Sequence, residues 1–336
     1  MDAATDAVKA PAAAEAPARL AAWIREGLVG HEHLVERLMI ALLAGGHVLI
    51  EGPPGLAKTR AVRRLAEGLD LGAEAGEAGG FARVQCTPDL MPSDLIGAQV
   101  FRRASEEFDF VQGPLFHSLL LVDEINRAPP KTQSALLEAM AESQVTAGGV
   151  TRRLPDPFMV AATQNSIEHE GTFPLPEAQL DRFLLHVKLG LPGAEAERAI
   201  LDLVETETRA DQPAPPPLRL TAGEIRAARA AAARVHLAPP LKDYIVRLTM
   251  GARETEGGPL EGLIAHAVSP RGTLALAAAA RARALLHGRA HALPEDVEAL
   301  APDALAHRLI PSWRASAEGV DSREIVARLL AHVRPY

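Results

Sequence analysis

Cysteine is nearly missing from this chain: Cys86 is the single one among 336 residues. One thiol closes no internal disulfide, which excludes a stapled scaffold of the kind small secreted proteins use. Aromatics are scarce too, at 4%, and this argues against a single-strand binder built on base stacking. Nor is there an excess of base. Lys and Arg total 35 against 43 Asp and Glu, a formal charge of −8, so the chain as a whole does not attract nucleic acid or anionic lipid. Long apolar runs are also lacking. The stretch from Leu38 to Ile50 is broken by Gly45, Gly46 and His47, far short of the roughly 20 apolar residues of a membrane span. Asp2, Asp6, Lys9 and Glu15 stand among N-terminal alanines without a signal-peptide core. The expectation is a soluble cytoplasmic protein with no membrane insertion.

What is present is ordinary globular material, 48% hydrophobic and 23% charged, over a length that suggests about two domains. Five apolar runs read as strands: His47 to Ile50, Phe81 to Val84, Leu119 to Val122, Phe158 to Ala162 and Phe183 to Leu189. Leu119 to Val122 is apolar throughout, as in a parallel strand buried on both faces. Helical patterns lie between them, such as Leu34 to Leu43 and the Leu136, Leu137, Met140 stripe behind Pro129-Pro130. That alternation predicts an α/β domain with a parallel sheet. Two segments interrupt it and read as β-hairpins. One is Val145 to Leu154 around Gly148-Gly149; the other is Val100 to Val111 with a polar tip at Ser105-Glu106-Glu107.

The division along the chain follows. Residues 1–18, Ala-rich with Pro11 and Pro17, are expected to fray. Residues 19–191 make the α/β domain. Residues 192–217 make a connection that ends in the Pro-rich run Gln212 to Pro217, and residues 218–336 are helical. In that last part Thr221-Ala222-Gly223-Glu224 reads as a capping box, and Pro240 and Pro294 suit helix first turns.

The chemistry concentrates in a few places. Gly52-Pro53-Pro54-Gly55-Leu56-Ala57-Lys58-Thr59 directly follows the first strand and precedes a helix, the context of a phosphate-binding loop. Backbone N–H groups of such a loop curl around phosphates, and the helix N-terminus adds positive potential. Lys58 would reach the β- and γ-phosphates of ATP, and Thr59 would bind Mg²⁺. Ala57 replaces the last glycine of the strict pattern. The strand Leu119 to Val122 ends in Asp123-Glu124; Asp123 is placed to hold Mg²⁺ through its water shell, and Glu124 to polarise an attacking water. Thr163-Gln164-Asn165 ends the next strand, and the Asn165 amide either orients that water, contacts the γ-phosphate, or merely closes a turn. Arg182, before the last strand, and Arg271, in Ser269-Pro270-Arg271-Gly272, are either surface partners of carboxylates or phosphate contacts.

Taken together, GPPGLAKT, LLLVDEINRAPPKTQSALLEAM, ATQN, LPEAQLDRF and SPRG resemble the MoxR family of AAA+ ATPases, and CTPDLMPSDLIG and GPLF are specific to that family. The resemblance runs from VGHEHLVERLM to EGVDSREIVARLL, nearly the whole chain. It makes Ala57 the family's own variant. It implies an AAA+ P-loop domain whose five-stranded parallel sheet has the order 5-1-4-3-2, with two hairpin inserts and an all-α lid. The Val100 hairpin then corresponds to the helix-2 insert and the Gly148-Gly149 hairpin to the pre-sensor-1 insert. Lys58 and Thr59 fall in Walker A, Asp123 and Glu124 in Walker B, Asn165 at sensor 1, Arg182 at the arginine finger and Arg271 at sensor 2. It further implies a hexameric ring that remodels a protein client, commonly with a von Willebrand factor A domain partner.

Other features read as background. His31-x-His33 and the His287 and His291 pair lack the accompanying ligands of a zinc site. His287 and His291 share a face only if one helix continues through Gly288. Arg102-Arg103 and Arg152-Arg153, near the hairpin tips, read as solvated charge, with contact to a client or nucleic acid as the alternative. Competing functions are a nucleotide-gated scaffold with little turnover, a small-molecule P-loop kinase, and a chelatase-like or DNA-associated member of the helix-2-insert group. A kinase leaves the Asp-Glu pair, the hairpins and the lid arginine unexplained.

Overall fold

The computed structural model describes residues 12–72, 80–103, 106–166, 171–209, 215–253, 258 and 260–335. They pack as two compact units: those within 20–226, and those within 227–335 together with residues 12–19. Residues 12–14 form a 3₁₀ turn that leads into helix α1 (Glu15–Glu26). Part of the terminus expected to fray is therefore helical; residues 1–11 lie outside the described ones. Alanine is the best helix former, and Pro17 sits in the first turn, where its missing N–H costs no intrahelical bond.

The α/β unit continues with α2 (Glu32–Ala44), β1 (Val48–Glu51), α3 (Lys58–Glu67), β2 (Phe81–Gln85), α4 (Pro92–Ile96), β3 (Gly97–Arg102), β4 (Glu107–Gln112) and β5 (Leu119–Asp123). After these come α5 (Pro130–Glu142), β6 (Gln144–Ala147), β7 (Val150–Arg153), β8 (Met159–Gln164), α6 (Glu177–Leu180), β9 (Leu185–Lys188) and α7 (Ala194–Arg209). Five strands form a wholly parallel sheet in the order β9-β1-β8-β5-β2. Counting only those five in chain order, this is 5-1-4-3-2. Each of the five coincides with an apolar run of the sequence to within a few residues.

Parallel pairing has one decisive consequence. Glu51 is in register with Gln164, and Gln85 with Asp123. The loops that leave β1, β5 and β8 therefore emerge at one edge of the sheet, the carboxyl end, where α/β proteins build their sites. The sheet is fixed by burial: every residue of β5 is buried, as are Leu34, Leu38, Met39 and Leu42 of α2 and Leu136, Leu137 and Met140 of α5. Each such aliphatic side chain contributes roughly 1.5–3 kcal/mol on leaving water. His47 is buried among them. The Val160 N–H donates to its Nδ1 at 3.0 Å, which leaves the hydrogen on Nε2 to be donated to Met140 O at 3.2 Å.

Both expected hairpins exist. β3 pairs with β4 from Gly97↔Gln112 to Arg102↔Glu107, and β6 with β7 from Gln144↔Arg153 to Ala147↔Val150, turning at Gly148-Gly149. Residues 104–105 of the first tip lie outside the described residues. Phe101 and Phe108 meet across β3 and β4 with ring centres 5.2 Å apart and planes tilted by 56°, and both are exposed. The reading of Arg152 as solvated charge is corrected. Its guanidinium lies over the Phe110 ring at 3.9 Å and donates to Ala147 O at 2.8 Å and Val150 O at 3.1 Å. An apolar face on the neighbouring hairpin holds it there. Arg102 pairs with Asp109 at 2.8 Å.

The stretch 192–217 is more than a connection, because it contains α7. Glutamates in its first turn and Arg209 in its last complement the helix dipole. Residues 210–214, which include the start of the Pro-rich run, lie outside the described residues. The boundary between the units falls later, inside α8 (Ala222–Arg234). The capping box at the start of α8 is present: Thr221 N donates to Glu224 Oε2 at 2.9 Å and Glu224 N to Thr221 Oγ1 at 3.2 Å.

The helical unit holds α9 (Pro239–Gly251), α10 (Pro270–Leu286), α11 (Pro294–Leu305), α12 (Trp313–Ala317) and α13 (Ser322–His332) around Tyr244, Leu248, Leu276, Leu300 and Ile325. It is not purely helical, since Ile264–His266 pairs antiparallel with Ile310–Pro311. The shared face imagined for His287 and His291 does not exist: α10 ends at Leu286, and Gly288 turns the chain with φ 71°. Asp296, fully buried, receives Arg283 and Arg289, each at 2.6 Å.

Candidate functional site

The loop from Gly52 to Thr59 wraps the end of β1. Gly52 N donates to Gln164 O at 3.2 Å, and a Cβ at Gly52 would stand 2.9 Å from Leu189 O, so only glycine fits there. Gly55 has φ +86° with open space where a side chain would begin. Pro53, Pro54 and Leu56 complete the curl. Ala57 adopts the left-handed conformation with φ 52° as the N-cap of α3. That conformation costs an alanine about 1–2 kcal/mol but not its place. Lys58 then opens α3, and its ammonium is buried. It donates to Gly52 O, to Asn165 Oδ1 at 2.9 Å and to Gln164 O at 3.2 Å.

Asp123 and Glu124 follow β5 directly. Thr59 Oγ1 donates to Asp123 Oδ1 at 3.2 Å, and Thr163 Oγ1 to the same oxygen at 3.0 Å. Arg83 Nε donates to Asp123 Oδ2 at 2.7 Å. Glu124 sits in the left-handed region with φ 56°, its N–H bound to Thr163 Oγ1 at 3.0 Å. This bend turns its side chain back towards β8. Asn165 Nδ2 donates to Glu124 Oε1 at 3.2 Å, and Arg127 pairs with Oε2 at 3.1 Å.

Lys58, Thr59, Arg83, Asp123, Glu124 and Asn165 line one cleft of about 690 Å³ that extends along α3 to Arg60. The hydroxyl of Thr59 beside the Asp123 carboxylate is a hard-oxygen set of the kind Mg²⁺ prefers, and the open curl at Gly55 leaves room for a phosphate. The far wall is the ion pair of Arg60 with Glu207 of α7. Beneath the cleft, Cys86 is 2% exposed. Burial first, then the charges of Asp123 and Glu124, pushes its thiol up to about 12.

The fold thus brings together residues 52–59, Asp123, Glu124 and Asn165. It does not bring Arg182 to them. That side chain donates to Leu137 O and lines a separate cleft with Ser134, Glu138, Glu142 and Gln179. Arg271 is in the helical unit, in the first turn of α10, its N–H on Ser269 Oγ at 3.2 Å. Sequence reasoning missed Arg83, Thr163 and Arg127. Arg83 carried a faint signal, a charge inside an apolar strand.

A parallel sheet of this order, with a phosphate-type loop after its first chain strand and two carboxylates after its third, defines a P-loop nucleotide-binding domain of the AAA+ class. The comparisons agree. Residues 47–185 match the ATPase family associated with various cellular activities (AAA), and residues 261–329 match an AAA lid domain. Chaperone MoxR1 of Mycobacterium tuberculosis is 42% identical, over 92% of this chain and 80% of its own length. Protein MoxR of Methylorubrum extorquens is 34% identical over 88% of each. The crystal structure of a candidate ATPase from Cytophaga hutchinsonii superposes with a TM-score of 0.84 at 36% identity, covering 96% of both chains. The chain belongs to the MoxR family of AAA+ ATPases.

Proposed function

We propose that the cleft binds ATP with Mg²⁺ and hydrolyses it to ADP and phosphate, and that the turnover drives chaperone-like remodelling of a protein client. Support for the remodelling role comes from the relatives named as chaperone and as MoxR protein. Lys58 would leave its three oxygens for the β- and γ-phosphates, while Gly52 to Ala57 offer backbone N–H groups. Thr59 and Asp123 would hold Mg²⁺, which when bound neutralises charge on the phosphate oxygens. Glu124 takes a proton from the attacking water, and Asn165 fixes its Oε1. Arg271 is assigned to the phosphates from the helical unit.

Arg182 supports an oligomer. It lies in a cleft apart from the loop of its own chain, so the natural target is a neighbouring subunit's γ-phosphate. We therefore assign a homo-oligomer; a hexameric ring in the cytoplasm is our reading from the family resemblance and the composition, not from Arg182. The von Willebrand factor A domain partner and the maturation of a protein complex follow from the family resemblance alone.

The observation that carries the reading is Asn165 lodged between Lys58 and Glu124. Its test is Glu124→Gln, which keeps shape but loses basicity. ATP binding should persist by calorimetry while steady-state hydrolysis falls by about 10² to 10⁴. Surviving turnover would mean that another group activates the water.

A further inference from the structure

Asp123 is engaged on both carboxylate oxygens within the chain itself. Oδ1 accepts from Thr163 and Thr59, and Oδ2 accepts from Arg83 at 2.7 Å. The side chain is only 6% exposed. A buried carboxylate without a counter-charge is costly, and the Arg83 guanidinium supplies that charge through an ionic hydrogen bond. Arg83 itself is not locked in. Its side chain is 41% exposed and lines the same cleft as Lys58 and Thr59. It stands on β2 two residues before Gln85, the register partner of Asp123, so its long stem reaches across to the neighbouring strand end.

On the ATP and Mg²⁺ reading above, two cations compete for this carboxylate. A dication beside Thr59 and Asp123 is repelled by a guanidinium already at Oδ2. We propose that Arg83 is the resident counter-ion of Asp123, a positioning residue that Mg²⁺-nucleotide displaces, and that this exchange sets the Mg²⁺ requirement of the site. In the metal-free site Arg83 keeps Asp123 oriented towards Thr59. On loading it swings out into the open part of the cleft, which its exposure permits.

The test is ADP binding to the full chain, followed by calorimetry in EDTA and across a Mg²⁺ series, for wild type, Arg83→Met and Arg83→Lys. Without its competitor, Arg83→Met should need about 5- to 50-fold less Mg²⁺ for half-maximal tightening, the range of an ordinary coupling between sites. Its affinity for ADP in EDTA is the baseline to which its own Mg²⁺ series is referred, and Arg83→Lys, which keeps the charge, should keep the wild-type requirement. Melting curves with Mg²⁺ alone give a second readout: the Met variant should gain stability at lower Mg²⁺ than wild type. If Arg83→Met does not fold, Arg83→Gln carries the same expectation. An unchanged or increased Mg²⁺ requirement overturns the proposal. Lys58→Ala in the same titration separates the two readings. Wild-type ADP binding by that variant removes the nucleotide site itself, whereas a Lys58-dependent site with a flat response at Arg83 removes only the counter-ion.

Discussion

Asn165 and Glu124 are joined across two strand ends, the amide Nδ2 donating to Oε1 at 3.2 Å. The other end of the same amide holds the Lys58 ammonium at 2.9 Å. One side chain therefore touches both the group assigned to the phosphates and the group assigned to the water. Asn165→Ala should lower hydrolysis by about 10- to 100-fold through a misplaced base. ATP affinity, measured by calorimetry, should change far less than turnover. A parallel loss of both would make Asn165 a binding residue instead.

Lys58→Ala should abolish detectable ATP binding. The buried ammonium is the main positive side chain at the curl of the loop, and its helix-opening position needs no side-chain cap. Calorimetry on a mutant with native circular dichroism checks this.

Arg182→Ala and Glu124→Gln should each be inactive alone and partly active when mixed. If the proposed ring forms, an intact Glu124 on one subunit then meets an intact Arg182 on the next, and a restored arginine finger would supply about 10³ to 10⁵ in rate. Subunit exchange is verified first by native mass spectrometry of tagged chains. Exchange without recovered turnover would mean that Arg182 acts within its own chain or not at all.

Cys86 should resist thiol reagents. Burial and the nearby carboxylates raise its pKa to about 12, so the thiol stays protonated through neutral and mildly alkaline pH. Ellman's reagent should titrate no thiol between about pH 7 and 9 in the native protein, and one per chain after unfolding in guanidinium.

Asp296 anchors the helical unit. Burial disfavours its charge, but hydrogen bonds from Arg289, from Leu293 N–H and from Arg283 outweigh this, and its pKa is lowered. The folded value lies below the unfolded value near 3.9, so the contribution is complete above that pH and is lost as pH falls through the folded value. Asp296→Ala leaves two arginines facing a cavity and should cost about 3–5 kcal/mol at neutral pH. Chemical denaturation at pH 7 measures it.

The sheet was legible because its strands are short apolar runs bounded by turn residues, and the phosphate loop because its glycines sit between a strand and a helix. Asp123, Glu124 and Asn165 were legible for a related reason: a polar residue directly after a buried strand must lie at the sheet edge. Arg83 was not, since its partner is 40 residues away and only the β2–β5 register joins them. Arg152 was misread because the ring it covers belongs to the other hairpin. The helix α7 was hidden by the prolines behind it, which drew attention to a linker.

That stack of Arg152 on Phe110 ties the two hairpins side by side. Peeling them apart means lifting a guanidinium from an aromatic face, worth about 0.5–2 kcal/mol. The second hairpin runs on into β8, which ends at Gln164 beside Asn165. Phe101, Phe108 and Phe110 belong to one hairpin and Arg152 to the other, and the chain runs on from Arg152 through β8 to Asn165, the residue that donates to Glu124. The exposed aromatic pair and the proposed water-activating carboxylate are thus linked by one ring contact and a short run of backbone.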